Sequence, residues 1–150
     1  MLFDDFKLEM FLRPLAACVL GAVIGWNREL KKHPAGLRTQ ILVALGSCSF
    51  TLSALELTSV MHEQYLQENS DPVRVIAGIV GGIGFLGAGS IIQSGGDVRG
   101  VTTAATVWVT GAIGIACGMG AYTLALVTAG LTAFVLIPLG RLEQKYLQDQ

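Results

Sequence analysis

The residues from Ala77 to Gly100 read AGIVGGIGFLGAGSIIQSGGDVRG. In water, each glycine inside a helix costs about 1 kcal/mol relative to alanine. In lipid no water competes for the backbone, so a helix still satisfies every N–H and C=O, and small residues let neighbouring helices approach closely. The stretch therefore predicts a transmembrane packing helix that other helices surround. The glycines predicted to pack helices here and later in the chain are Gly78, Gly81, Gly82, Gly84, Gly87, Gly89, Gly114 and Gly118.

The same stretch contains Gly82-Ile-Gly84-Phe-Leu-Gly87, which matches the dinucleotide-binding fingerprint G-x-G-x-x-G. That fingerprint requires a strand before it, a helix that opens at it and an acidic residue about twenty positions later. Here the upstream residues are apolar and position 102 is a threonine. The sequence context argues against nucleotide binding.

The composition is that of one membrane domain, because 52% of the 150 residues are hydrophobic and 14% are charged. Crossing a bilayer core of about 30 Å takes about 20 helical residues. We therefore predict an all-α, polytopic bundle with a tight turn at Gly118-Met-Gly120 between its last two spans. The predicted spans cover residues 8–26, 37–58, 73–93, 101–117 and 121–139.

Basic and acidic residues are separated along the chain, which sets the expected orientation. The basic residues between the first two spans are Arg28, Lys31, Lys32 and Arg38. The loop from 59 to 71 carries Glu63, Glu68 and Asp71 without Lys or Arg. The positive-inside rule places the basic loop in the cytoplasm and gives an N-out, C-in topology, with Arg141 and Lys145 of the tail also inside.

Polar residues at the span ends form two candidate groups. Arg13, Glu56 and Arg74 are expected near the outer face, where Glu56 either pairs with one of the arginines or snorkels to the interface.

The second group lies near the inner face and consists of Arg28, Glu29, Arg38 and Arg99. We predict that Arg38 and Arg99 converge there as a functional cytoplasmic cluster, with Glu29 orienting them. Guanidinium forks suit a lipid headgroup, another anionic ligand or a partner's acidic residues. The alternative is topological anchoring by positive charge.

The fourth span carries a stripe of small, partly polar residues at four-residue spacing. Such a stripe usually packs against another helix, and a pore lining is the alternative use. The stripe consists of Thr102, Thr106, Thr110, Gly114 and Gly118.

Four ordered blocks of the sequence resemble the MgtC/SapB family of small bacterial inner-membrane proteins, over about residues 21–122. They are Arg28-Glu29 followed by Pro34-Ala-Gly-Leu-Arg-Thr39, Asp71-Pro-Val-Arg74, Gly82-Ile-Gly-Phe-Leu-Gly-Ala-Gly89, and Val98-Arg-Gly-Val-Thr-Thr-Ala-Ala105 with Trp108. The chain departs from the usual pattern at Asn27, His33 and Val101. It resembles the short form, which lacks a C-terminal soluble domain.

The resemblance implies a multi-pass protein of the bacterial inner membrane, in a family associated with growth at low magnesium and with virulence. Its members look like accessory or regulatory proteins, and a transporter or channel for a small ion or solute, including Mg²⁺, is the alternative. Mg²⁺ prefers carboxylate oxygens, whereas residues 73–92 and 98–142 contain no Asp or Glu. This argues against a dedicated Mg²⁺ pore, although backbone carbonyls at glycine breaks could substitute in part.

The expected partners are the lipid bilayer, further copies of the chain in a homodimer or larger homo-oligomer, and another membrane protein. The small-residue stripes on several spans offer more close-packing surface than one bundle uses, which favours the homo-oligomer. No nucleophile and base lie at a recognisable spacing, so we expect neither an enzyme nor a cofactor. We expect no nucleic-acid partner, and the sequence does not identify a metal site.

Overall fold

The computed structural model describes residues 2–65, 71–94 and 97–140. Its helices are α1 (Leu2–Leu30), α2 (Leu37–Tyr65), α3 (Pro72–Ala88), α4 (Val101–Gly118) and α5 (Tyr122–Phe134). Helix α5 continues into a π-helical turn, Val135–Leu139, which contains Pro138. Pro138 has no N–H to donate, which is consistent with a local departure from α-helical hydrogen bonding. The predicted all-α bundle is confirmed.

Judged by length and composition, four segments among the described residues are able to cross a bilayer: Leu8–Leu30, Leu37–Met61, Val101–Gly118 and Tyr122–Leu139. The third predicted span is shorter than expected, because α3 is a 17-residue apolar helix that ends at Ala88 rather than at residue 93. Helices α1 and α2 extend beyond the predicted ends at 26 and 58. The predicted turn is confirmed: α4 ends at Gly118, Gly120 adopts φ 73°, and α5 begins at Tyr122.

A short hairpin lies between α3 and α4, where no strand was predicted. Strands β1 (Ile92–Ser94) and β2 (Asp97–Arg99) pair antiparallel, with Ile92 opposite Arg99. Gly100, which precedes α4, has φ 89°, and a Cβ there would collide with the carbonyl oxygen of Ser90. Glycine is therefore required at this junction because of both its backbone conformation and the available space.

Helix α4, and not α3, is the helix that the others surround, which corrects the sequence-based prediction. Helix α4 contacts each of the other four helices, and 61% of its residues are buried. In α3 the buried residues are Ile79, Ile83 and Gly87. The two helices are similarly rich in small residues, but the small residues of α4 face other helices whereas most glycines of α3 face outward.

Several charged residues of the topology prediction fall outside this description. Glu68, Arg141 and Lys145 lie outside the described residues. The N-out, C-in orientation therefore stays a prediction.

Candidate functional site

Side-chain hydrogen bonds between different elements are concentrated at the two ends of the helical bundle. Antiparallel packing places the end of α1 beside the starts of α2 and α4, as the contacts of Arg28 with Thr103 and of Gly25 with Leu37 show. We call this the basic end. The opposite end joins the first part of α1 to the end of α4, where Arg13 contacts Gly118.

Arg28 is the central residue of the basic end and is 3% exposed. Its Nη2 donates to the Thr103 hydroxyl at 2.6 Å and to the Pro34 carbonyl at 2.8 Å. Its Nε donates to the Ala35 carbonyl at 3.2 Å, and its Nη1 to the Thr106 hydroxyl at 3.4 Å. One guanidinium group thus ties α1 to the α1–α2 loop and to α4.

The hydrogen bonds around Arg28 are compatible with one another. The Thr106 hydroxyl donates to the Thr102 carbonyl at 2.6 Å, which leaves its lone pairs free to accept from Arg28. Among the described residues no carboxylate pairs with Arg28, so neutral oxygens hold its charge. A charge at membrane depth is costly unless its donors are satisfied, and four oxygen acceptors meet that requirement here.

The α1–α2 loop is held in a strained conformation by the same contacts. Ala35 has φ 54°, a left-handed conformation that costs a residue with a Cβ about 1–2 kcal/mol. Its carbonyl accepts both from Arg28 and from Nε2 of Gln40, the latter at 3.1 Å. Gln40 is fully buried, and its Oε1 has no hydrogen-bond partner in the described structure. The strained loop is therefore fixed by side chains of α1 and α2.

Glu29 has a different partner from the one predicted. Its Oε2 accepts the backbone N–H of Leu37 at 2.9 Å, which caps the first turn of α2 from outside that helix. A Cβ on Gly36 would collide with this same oxygen, so glycine at 36 makes room for the cap. Glu29 thus binds the start of α2, and no ion pair between it and an arginine occurs among the described residues, so the prediction that it orients Arg38 and Arg99 stays a prediction.

Arg38 and Arg99 are both exposed at the basic end. Arg99 lies 3.8 Å from Asp97 within the hairpin, and no hydrogen bond or ion pair of Arg38 occurs among the described residues. The described contacts do not join Arg38 to Arg99. Their joint binding of an anionic group stays a prediction.

His33 lies in the α1–α2 loop near the buried arginine. Its pKa is lowered mainly because the loop partly shields the ring from water, and repulsion from Arg28 and Lys31 lowers it further. The direction of this shift favours the neutral imidazole.

At the opposite end, Arg13 pairs within its own helix. Its Nε donates to Glu9 at 2.8 Å and its Nη1 to the Gly118 carbonyl at 3.0 Å, while the Tyr122 hydroxyl also donates to Glu9 at 2.9 Å. These contacts connect α1 to the α4–α5 turn. The predicted pairing of Glu56 with Arg13 or Arg74 is not formed among the described side chains.

The eight predicted packing glycines differ in what surrounds them. A Cβ on Gly114 would collide with the Ala44 carbonyl, and one on Gly118 would lie 2.7 Å from Cβ of Thr51. Gly87 is close to Ala104 across the α3–α4 contact, whereas Gly89 follows α3 as its C-cap and lies near the carbonyls of its own last turn. An added Cβ would meet nothing within 4 Å at the other four, Gly78, Gly81, Gly82 and Gly84.

Sequence reasoning missed the α4 threonines and Gln40 as partners of the basic end. Thr103 belongs to a family block and Thr106 to the predicted packing stripe. Gln40 belongs to none of the predicted groups. The available signal was a glutamine in the first turn of an apolar span, which is unfavourable unless the group is bonded inside the bundle.

Within the residues described, no group of three His, Cys, Asp or Glu side chains is placed to hold a metal ion. The fold and the two polar ends define the chain as a polytopic α-helical membrane protein, with a buried arginine clamp at one end. The MgtC family model matches residues 15–145, and the chain belongs to the MgtC family.

Curated relatives agree with this assignment. Protein MgtC of Salmonella typhimurium is 45% identical over 115 residues, which cover 77% of this chain and 46% of the relative. Protein MgtC of Brucella abortus is 42% identical over 135 residues, covering 85% and 52%. An uncharacterized protein of Haemophilus influenzae is 39% identical over 149 residues, covering 97% and 61%. The chain thus spans about half the length of these relatives, and no solved structure matches it.

Proposed function

We propose that this protein is a regulatory or accessory module of the bacterial inner membrane. In this proposal it acts in magnesium-related homeostasis by contacting other membrane components, and it does not conduct ions. Membership of the MgtC family supports the link to magnesium. The segregated charges of the sequence support an inner-membrane location with the basic end in the cytoplasm.

The observation that carries the proposal is the close contact between α2 and α4. The small stripe of α4 was the candidate pore lining, but Gly114 lies against the backbone at Ala44 and against Ser47, whose Cβ is 2.8 Å from a Cβ built at 114. Gly118 is similarly close to Cys48 and Thr51. Side chains and backbone of α2 fill the space beside this part of the stripe, which supports a packing role for it.

Purified protein in sealed vesicles provides the test of this proposal. Vesicles containing a Mg²⁺-sensitive dye should show no Mg²⁺ uptake above that of protein-free vesicles. An ionophore added afterwards should admit Mg²⁺ and produce the dye signal, which is the control for the dye. In parallel, the gene should restore growth of a deletion strain under magnesium limitation. Partner-independent uptake of Mg²⁺ or another ion would favour the alternative, a small-solute transporter or channel.

The orientation is tested by cysteine labelling in intact cells. A cysteine at Lys32 should be protected from a membrane-impermeant maleimide, whereas one at the exposed Asp71, which lies between α2 and α3, should react. Labelling of position 32 alone would contradict the proposed topology and indicate the opposite orientation.

A further inference from the structure

A groove with a volume of about 760 Å³ runs between α2 and α3 on the outside of the bundle. Its floor includes Gly46, Gly78 and Gly82, where an added Cβ would meet nothing within 4 Å. Leu42 and Phe50 of α2 and other apolar side chains of α3 form its walls. The volume falls within the range of roughly 300–1,000 Å³ that is usual for small-molecule sites.

An arginine extends each wall of this groove by one helical turn. On α2, Arg38 precedes Leu42 by four residues and so lies on the same helix face. On α3, Arg74 precedes Gly78 by four residues in the same way, but at the other end of the groove. Both arginines are exposed, and neither forms an ion pair with a described residue.

The Arg38 end of the groove also offers a hydroxyl group. Thr39 is exposed and lines the groove there. The other hydroxyl of the lining, that of Ser47, is buried and already donates to the Val43 carbonyl at 2.8 Å. At the basic end, a polar headgroup would therefore meet the Arg38 guanidinium and the Thr39 hydroxyl. Beyond them, the acyl chain would meet the apolar side chains that line the groove.

We propose that this groove binds one anionic phospholipid from the leaflet on the basic side of the membrane. An acyl chain lies over the glycines, and the phosphate accepts from Arg38 and Thr39. Basic pockets between transmembrane helices on the cytoplasmic side are suited to anionic headgroups, and guanidinium forks match phosphate oxygens. This inference is independent of the regulatory role proposed above.

The shape of the groove favours a lipid chain over a helix from a second copy. Leu42, Phe50 and Leu86 are each about 60% exposed and stand beside the glycines. A helix with its side chains is about 10–12 Å across. A single hydrocarbon chain reaches the glycine floor between these side chains more readily than such a helix does, and contacts it along its length.

Native mass spectrometry of the detergent-purified protein tests the proposal. The protein is titrated with phosphatidylglycerol or with phosphatidylcholine of the same acyl chains. We expect one phosphatidylglycerol per chain, bound about fivefold more tightly than phosphatidylcholine, since one arginine near the membrane surface contributes about 1 kcal/mol toward an anionic lipid. Arg38→Gln should remove this preference, and Arg74→Gln should keep it.

Filling the groove tests the acyl-chain part of the site. Gly78→Leu with Gly82→Leu should abolish retention of both lipids, whereas Gly130→Leu on α5, which also has open space, should leave it unchanged. In the wild-type chain, a photoactivatable acyl chain on phosphatidylglycerol should cross-link to α2 or α3. This last measurement needs no variant.

Three outcomes would overturn the proposal. The first is equal retention of the two lipids by the wild-type protein, and the second is cross-links confined to α1 or α5. The third is a lipid-free dimer that Gly78→Leu dissociates, which would identify a second copy as the occupant.

Discussion

Replacing Arg28 by lysine should destabilise the fold although the charge is kept. The guanidinium reaches four oxygens on the loop and α4, at 2.6, 2.8, 3.2 and 3.4 Å. An ammonium group donates from a single point and cannot serve oxygens that surround a planar fork. If two of the contacts are lost, at about 1.5–3 kcal/mol for each charge-assisted bond, the free energy of unfolding falls by about 3 kcal/mol or more.

The assay is equilibrium unfolding in mixed micelles, followed by circular dichroism. Arg74→Lys is the matched control, because Arg74 is exposed and its change should stay within about 0.5 kcal/mol. A double-mutant cycle of Arg28→Lys with Thr103→Val should give a coupling energy of about 1 kcal/mol. An Arg28→Lys protein as stable as the control variant would refute the clamp, and so would strict additivity with Thr103→Val.

Three further predictions follow from the same contacts. Gly114→Leu should lower the unfolding free energy by more than about 3 kcal/mol because its side chain meets backbone, whereas Gly130→Leu should be nearly neutral; equal effects would contradict the packing geometry. Gly36→Ala should displace the carboxylate that caps α2 and cost about 1 kcal/mol; unchanged denaturation would contradict this. By NMR, the pKa of His33 should lie below its unfolded-state value and should rise in Lys31→Gln; a normal or raised pKa would contradict this. The contribution of this shift to stability should be present above the unfolded-state pKa and be lost as the pH falls through the folded-state pKa.

The sequence predicted the helical class and most of the spans because each depends on local composition. Apolar length identifies a span, and Gly118-Met-Gly120 identifies a turn, without knowledge of any neighbour. Which glycine-rich helix is buried depends instead on neighbours. Gly114 and Gly82 are alike in sequence context, yet the first meets the backbone of α2 and the second meets open space.

The same limit explains why the sequence does not separate the roles of the arginines near the inner face. Arg28, Arg38 and Arg99 all lie near span ends, and charge patterning ranks them equally. Their roles differ because Arg28 faces α4 whereas Arg38 faces outward, a distinction set by helix rotation. The hairpin was missed for another reason. Gly95-Gly96 is a residue pair typical of two-residue hairpin turns, but the residues on either side of it lack the sustained alternation of a strand.

Two of the four sequence blocks that mark the family, the first and the last, meet at one joint at the basic end. Arg28 and Glu29 of the first block bind the Pro34 carbonyl and the Leu37 N–H, and Arg28 also binds Thr103 of the last block. Loss of activity on changing these residues would therefore follow from loss of structure. Arg38 belongs to the same block but forms none of these contacts, so loss of activity in Arg38→Lys at normal membrane abundance would report on recognition by its guanidinium fork.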